Sequence, residues 1–491
     1  MKAILVIENT RRWPLEVEGA EVVSARDYLV SDEWSARAGL RVYNLCRTYG
    51  YQTLGYYVSL LAAARGHRPF PTVETLQDLR LAPVVRLVSD QLDALIQKSL
   101  GRLKGKRFDL SLYFGRNLAK RYEPLAHALH QQFPAPLLRA SFERRGSDWR
   151  LASVRPIATS EIPDSHRDFV IAQAERHFGR PRLSPRAKRT FRYDLAILTD
   201  PEAEDAPSDA KALARFVQAA RRLDIEAQLI GRDDAGDIGE YDALFIRETT
   251  YVDHPTYRLS RRAASEGLVV IDDPVSILRC TNKVFLAELF ARKKIPHPKT
   301  LVAHADNLDQ IGDAVGLPCV LKRPDSSFSQ GVVRVDSPEE LRARVSEFLR
   351  DSELVVAQSF TPSDFDWRIG VLGGEALFAC RYHMVRGHWQ IIATDKGGKR
   401  RYGRVEAIPV EEAPAEAVEI ATRAARLIGD GLYGVDIKEY QGSFLVMEVN
   451  DNPNVDAGYE DAVLGERLYL AVMNWFRQRL DARGGGSSLV G

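Results

Sequence analysis

The chain has 491 residues, more than one ordinary hydrophobic core can organise, so several domains are expected. Its hydrophobic content of 45% and charged content of 27% are those of a globular chain, and a net charge of +1 gives no global attraction to nucleic acid or to an anionic membrane. No stretch approaches about 18 uninterrupted apolar residues, which excludes a membrane-spanning helix, and Cys46, Cys280, Cys319 and Cys380 are too scattered for a zinc site or a disulfide framework.

In chain order, MKAILVIENT reads as a first strand without the apolar core and cleavage site of a signal peptide; with the cysteine usage this predicts a cytoplasmic protein. GYYVSLLAAARGH (55–67) has apolar residues at helical spacing and stops at Gly66, and DLSLYFG (109–115) reads as a strand. The Tyr49, Tyr51, Tyr56 and Tyr57 cluster is expected to face a helix core. A helix is predicted around 166–178. These elements make 1–178 an N-terminal accessory α/β domain. Residues 1–190 carry 31 basic against 19 acidic side chains. That surplus suits an anionic partner and equally a solvated face. GRPRLSPRAKR, rich in Pro and Arg, marks 179–191 as a linker.

YDLAILTD opens a second block, 192–280, in which short apolar strands (EAQLIG, YDALFIRETT, GLVVIDD) alternate with helices, the pattern of a small parallel sheet. It carries no Gly-x-Gly-x-x-Gly at its first turn, so no dinucleotide site is expected. The third block, 281–482, begins with the amphipathic TNKVFLAELFARKKI, stopped by Pro296, and continues as hairpins separated by helices. Residues 483–491, with GGGSSLVG, read as a flexible tail.

The chemistry concentrates in the third block. FLVMEVNDNPN runs from an apolar strand into a crowd of acids and amides, and strand alternation puts Glu448 and Asn450 on one face. YGVDIKEY precedes it across a turn. A three-residue loop, Gln441-Gly442-Ser443, would pair Tyr440 with Phe444 and hence Asp436 with Glu448; a two-residue loop would put the two carboxylates on opposite faces. Two carboxylates and an amide at one strand end suit a hard divalent cation such as Mg²⁺; the alternative is a solvated surface pair. In VLKRPDSSFSQGVV, Lys322 ends a strand and a loop of small residues follows, whose backbone could approach phosphate, although G-x-x-x-x-G-K-[ST] is absent. Lys283 is a second candidate phosphate cation.

Taken together, DALFIRETT, TNKVFLAELFARKKIPHPKT, VLKRPDSSFSQG, VVAQSF, DFDWRIGVLGGE, RYHM, GVDIKEY and LVMEVNDNPN resemble the ATP-grasp superfamily, and within it the RimK-type carboxylate–amine ligases, over about 193–480. The first 155 residues resemble the extra N-terminal domain of some RimK-like proteins. The resemblance implies two α+β subdomains clasping ATP behind a pre-ATP-grasp domain. It implies ATP phosphates on Lys283, Lys322 and the loop residues Ser327, Ser329 and Gly331. Adenine would lie at Gln358, Ser359 and Phe360 (the family has an acid where this chain has Ser359) and ribose at Asp366. Mg²⁺ or Mn²⁺ would be held by Asp436, Glu448 and Asn450. Arg368, Arg381 and Arg401 would face the carboxylate substrate and the acyl phosphate; the family's Asn-rich stretch before Arg401 is here DKGGKRRYG. Arg247 and Asn452 would contact substrate. The implied activity is ATP-dependent joining of an amino acid such as glutamate to an amino-acid, peptide or protein acceptor, by a homo-oligomer that needs neither membrane nor nucleic acid. A nucleotide-binding scaffold with a basic partner-binding N-terminal domain, or a phosphoryl transferase on the same fold, are the alternatives.

Overall fold

A computed structural model describes residues 3–8, 10, 20–37, 40–178, 191–200, 202–203, 205–325, 331–350, 352–394 and 400–484. The chain divides into two compact units. One comprises Met1–Arg192, Asp233–Glu240 and Asp481–Gly491; the other comprises Tyr193–Arg232 and Tyr241–Leu480. The predicted 179–191 linker, residue 191 apart, and most of the tail lie outside the described residues.

The first unit combines two sheets. Strands β1 (Ala3–Ile7), β2 (Ala20–Ser24), β3 (Arg41–Asn44) and β4 (Arg68–Phe70) form a parallel sheet in the order β2-β1-β3-β4. Strands β5 (Arg107–Tyr113), β6 (Leu137–Arg145) and β7 (Asp148–Pro156) form an antiparallel one. The helix Arg167–Phe178 contributes Val170 and Ala174 to a core shared by Leu5 and Tyr43 of the parallel sheet and Tyr113 and Leu137 of the antiparallel one. The helix over 55–67 is present as Leu54–Ala64; of the four tyrosines Tyr49 packs against the core that Val58 and Ala62 join, while Tyr51 is 60% and Tyr57 39% exposed. Only Val58, Ser59, Ala62 and the crowded Gly55 are buried, and these small residues set the packing face.

The second unit holds the sheets that matter for function. Strands β8 (Tyr193–Thr199), β9 (Ile225–Ile230), β10 (Ala243–Arg247) and β11 (Val269–Ile271) form a parallel sheet in the order β11-β10-β8-β9. All five residues of β10 are buried, as expected of a strand covered on both faces. Strands β12 (Thr300–Ala303), β13 (Cys319–Lys322), β14 (Val332–Val335) and β15 (Val355–Ser359) form a four-stranded antiparallel sheet. Strands β16 (Phe365–Leu372), β17 (Glu375–His383), β18 (Ile392–Thr394), β19 (Arg400–Tyr402), β20 (Val405–Ile408), β21 (Leu432–Tyr440) and β22 (Ser443–Asn450) complete the unit. Of these, β18 and β19 form a separate ribbon, and the rest a five-stranded antiparallel sheet in the order β20-β17-β16-β21-β22.

The five-stranded sheet is apolar on one face and functional on the other. Trp367, Ile369, Val435, Ile437, Val446 and Val449 pack on Ala417, Ile420, Ala421 and Ala424 of the helix Ala415–Ile428. The helix Glu466–Gly484 buries Leu468, Tyr469, Val472 and Phe476 against the parallel sheet and the 210–222 helix, each worth roughly 1.5–3 kcal/mol of burial. Phe378 and Cys380 join that same cluster, so the parallel sheet and the hairpin domain share one core. Among the described residues no helix is long and apolar enough to cross a membrane.

Candidate active site

The hairpin of β21 and β22 meets the expected register by a different route. Its turn has two residues, not three: Tyr440 opposes Ser443, with Gln441 (φ +50°) and Gly442 (φ +75°) both in the left-handed region, as tight hairpin turns require. Left alone, that turn would oppose Asp436 to Met447. A β-bulge at Met447 inserts one extra residue, so Ile437 opposes Val446 while Asp436 opposes Glu448. The cause is the core. Val446 and Val449 are both fully buried although they stand three apart, and only a bulge lets a strand turn both inward.

Asp436, Glu448 and Asn450 therefore converge at the strand ends. The Asn450 Nδ2 donates to Asp436 Oδ2 (3.1 Å) and to the Gly434 carbonyl (3.3 Å), which leaves its amide oxygen available. Among the described residues no three His, Cys, Asp or Glu side chains converge as a metal cluster. The converging donors are two carboxylates and an amide oxygen, all hard oxygen ligands of the kind Mg²⁺ takes.

Cations surround this set. Arg368 opposes Asp436 on the neighbouring strand and grips it with Nε at 2.7 Å and Nη2 at 2.8 Å. The Lys283 Nζ lies 3.5 Å from Glu448 Oε1, at the start of a helix whose N-cap, Asn282, accepts from the Phe285 amide. Lys322, at the end of β13, is pushed down to about 8, chiefly by burial; Glu448 counteracts this and Lys283 adds to it. Lys438 lies two residues from Asp436 and so shares its face; its Nζ is 2.5 Å from Asp366 Oδ1. Burial raises the Asp366 carboxyl, and Lys438 opposes that shift.

The Gln358–Phe360 segment links the four-stranded sheet to the five-stranded one. Gln358 donates to the Thr300 hydroxyl (3.0 Å), while its buried Oε1 has no hydrogen-bond partner among the described residues. Ser359 and Phe360 are tied through their amides to the carbonyls of Lys299 and Pro318. The Phe360 ring meets Trp389 edge-on and lies under the Arg334 guanidinium. Gly331 (φ +64°) accepts from the Arg323 amide, and a Cβ there would sit 2.8 Å from the Arg323 side chain. Ser327 and Ser329 lie outside the described residues.

Three predicted substrate cations stand elsewhere. Arg247 is fully buried: it donates to Ser208 Oγ (3.0 Å), Asn452 Oδ1 (2.7 Å), the Pro453 carbonyl (2.8 Å) and the Pro207 carbonyl. It ties β10 to the NDNPN stretch, and Asn452 completes the tie by donating to the Glu248 carbonyl (2.6 Å). Arg381 opposes Trp367 on the far face of the sheet, its guanidinium 4.8 Å from the Trp367 ring. Strand alternation separates it from Arg368, whose face carries Cys380 and Tyr382 instead. Arg401 is exposed and opposes Ala393; its neighbour Tyr402 lines the cleft instead.

Asp436, Glu448, Asn450 and Arg368 line a cleft of about 1820 Å³, with Thr249–Asp253 and 451–454 among its other walls. Asp451, next to the oxygen set, is buried and accepts from the Thr250 hydroxyl (2.8 Å); burial pushes its carboxyl up to about 7. Lys438 was legible from its spacing to Asp436. Asp451 sits in a loop after β22, where no periodicity indicates direction.

Residues 280–463 match the model of the RimK-like ATP-grasp domain, and residues 25–173 that of the RimK-like ATP-grasp N-terminal domain; together they span more than half of the chain. The chain belongs to the RimK-like ATP-grasp family. A probable alpha-L-glutamate ligase of Vibrio vulnificus is 27% identical to this RimK-like chain over 230 residues, 46% of this chain and 73% of that protein. One of Legionella pneumophila is 26% identical over 226 residues, 45% and 72% of the two. Among solved structures, an ATP-grasp RimK domain protein of Sphaerobacter thermophilus aligns with 57% of this chain and 98% of its own at 18% identity and a TM-score of 0.45. A D-alanine–D-alanine ligase of Bacillus anthracis aligns with 60% and 99% at 14% identity and a TM-score of 0.46. The match of this RimK-like chain to the ATP-grasp domain contains Lys283, Lys322, Asp436, Glu448 and Asn450 but not Arg247.

Proposed function

We propose that the protein joins a carboxylate to an amine at the expense of ATP, through an acyl phosphate. The observation that carries this reading is the opposition of Asp436 and Glu448 beside Asn450, with Lys283, Lys322 and Arg368 turned toward them. Lys283 and Lys322 would hold phosphate oxygens. Gln358, whose buried Oε1 has no partner among the described residues, would read the adenine amino group, with Phe360 as its apolar wall. Asp366, fixed by Lys438, would accept from ribose.

The oxygen set fits a divalent cation, and Asp436, Glu448 and Asn450 would hold it. Bound there, the ion would screen the triphosphate from an incoming carboxylate. In its absence Arg368 neutralises Asp436, so one guanidinium can balance that carboxylate or turn to the substrate carboxylate and the transferring phosphoryl group. Arg381 and Arg401 have no part in this assignment. Asp366 and Asp436 already carry partners from neighbouring strands and Glu448 one from the start of the 283–293 helix, so the site is largely pre-organised for transfer. The amine then attacks the acyl carbon and phosphate leaves. The N-terminal unit, residues 192–280 and residues 281–482 would act as accessory, pre-grasp and grasp domains.

The test is ADP release by the full-length protein with Mg²⁺ and ATP, measured with and without acid–amine pairs, with product masses read afterwards. Release that requires both substrates and gives their condensation product supports the reading. ATP binding without such turnover indicates a scaffold, and a phosphorylated product indicates a phosphoryl transferase.

A further inference from the structure

Arg368 lines the cleft, and Asp436 engages only part of its guanidinium. Nε and Nη2 donate to Asp436 at 2.7 and 2.8 Å, while Nη1 makes no hydrogen bond among the described residues. Asp436 is also one of the three oxygen ligands assigned above to a divalent cation. An ion seated there would compete with the guanidinium for the same two oxygens. If Arg368 is to meet a substrate carboxylate or a transferring phosphoryl group, it needs a hold other than Asp436.

The next strand supplies one. Tyr382 of β17 stands on the Arg368 face of the sheet and also lines the cleft, whereas Arg381, one residue earlier, stands on the other face. The Arg368 guanidinium carbon lies 4.6 Å from the centroid of the Tyr382 ring. A ring face attracts a cation without consuming its N–H donors. It can therefore fix the plane of the guanidinium and leave Nη1 unspent, which a second carboxylate would not do.

Tyr382 is itself anchored. Its hydroxyl donates to Glu460 Oε1, and Glu460 Oε2 accepts from the Asp456 amide (2.7 Å). Glu460 is 2% exposed. The Asp456 side chain accepts in turn from the amide of Asp209, the N-cap of the 210–222 helix (2.7 Å). The ring is thus held from outside its own sheet. A phenol that donates to a carboxylate also gains electron density, which strengthens its attraction for a cation. Burial works against the charge of Arg368, and Asp436, Tyr382 and Glu460 together hold it well above its ordinary value.

We propose that Tyr382 and Glu460 are positioning residues for acyl transfer: the Tyr382 ring, polarised and fixed by Glu460, is the platform that keeps the Arg368 guanidinium aimed into the cleft when Asp436 turns to the cation. This rests on the ligase reading and adds to it the residues that hold its central arginine. Both act through Arg368, so their effect belongs to the chemical step and not to nucleotide binding.

The experiment uses the full-length protein with Mg²⁺, ATP and an acid–amine pair that it condenses, and reads kcat, the KM of each substrate and Tm. Y382L removes the platform and is expected to lower kcat about tenfold or more, with the KM for ATP held within about twofold. Y382F keeps the ring and loses the donor, and E460Q keeps the shape and loses the charge; each is expected to lower kcat about threefold. R368K, whose ammonium has no plane to stack, lowers kcat by itself, and Y382L added to it is expected to cost less than about threefold more. A fall in Tm without a fall in kcat in Y382L overturns the inference, because it makes Tyr382 a packing residue. An equal tenfold loss in the parent and in R368K also overturns it, because Tyr382 then acts without Arg368. If Y382L fails to fold, Y382F and E460Q carry the test, and unchanged kcat in both overturns it. Each of these results leaves the ligase reading standing; no condensation of any pair by the parent protein overturns both.

Discussion

Replacing Arg247 separates a brace from a substrate ligand. Its guanidinium makes four hydrogen bonds, to Ser208 Oγ, Asn452 Oδ1 and the carbonyls of Pro207 and Pro453, with no exposed surface. Arg247→Met keeps much of the volume but strands those acceptors, for which a destabilisation of about 3–5 kcal/mol is expected. Arg247→Lys keeps the charge, yet a single ammonium has three donors and cannot span the fork, so about 2 kcal/mol is expected. For a domain of this size each kcal/mol shifts Tm by roughly 2–4 °C. The damage should centre on the segment that Arg247 holds. The Val455 amide donates to the Pro207 carbonyl and the Asp456 amide to Glu460, and hydrogen exchange at both should accelerate more than in the hairpin of β21 and β22. Unchanged Tm and exchange in either variant, with a rise confined to the KM of the carboxylate substrate, would refute the brace and restore Arg247 to the substrate.

Lys322 is pushed down to about 8, so its ammonium is charged below that pH and lost above it. Nucleotide affinity, followed by calorimetry, should fall as pH rises through about 8, and K322M should flatten the profile; a profile unchanged in K322M contradicts the assignment. Asp451, pushed up to about 7 from an unfolded value near 3.9, is disfavoured when ionised in the fold. Its contribution is therefore full below the unfolded value and lost as pH rises to about 7, at up to about 1.4 kcal/mol per pH unit. Denaturant titrations of D451N should show a shallower decline over that range than the parent. Gly434 has no positive φ, but a Cβ there would lie 2.7 Å from Pro453 Cβ, so G434A should displace the 452–454 segment and lower kcat with modest loss of Tm; wild-type kinetics would contradict that close approach.

The sequence made the strands legible wherever alternation was strong, and with them the oxygen set, because Glu448 and Asn450 two apart must share a face. It could not decide how Asp436 meets Glu448. The choice between a longer turn and a bulge depends on Val446 and Val449 both seeking the core, a tertiary demand that enters through the helix Ala415–Ile428. Arg381 and Arg368 looked equivalent as cations, and only pairing register separates them, since Arg381 opposes Trp367 while Arg368 opposes Asp436. Arg247 followed a motif, but burial turned its donors inward. Asp456 and Glu460 lie in the stretch before the Glu466–Gly484 helix, where no period reports which way a side chain points.

The most direct test of the active-site reading is ADP release against matched acid–amine pairs in the parent protein and in D436N and E448Q, with mass spectrometry of the products. Turnover requiring both substrates, a product equal to acid plus amine less water, and loss of turnover in both variants at retained Tm are expected. Equal turnover in the variants, or ADP release indifferent to the amine, would contradict a ligase built on Asp436, Glu448 and Asn450.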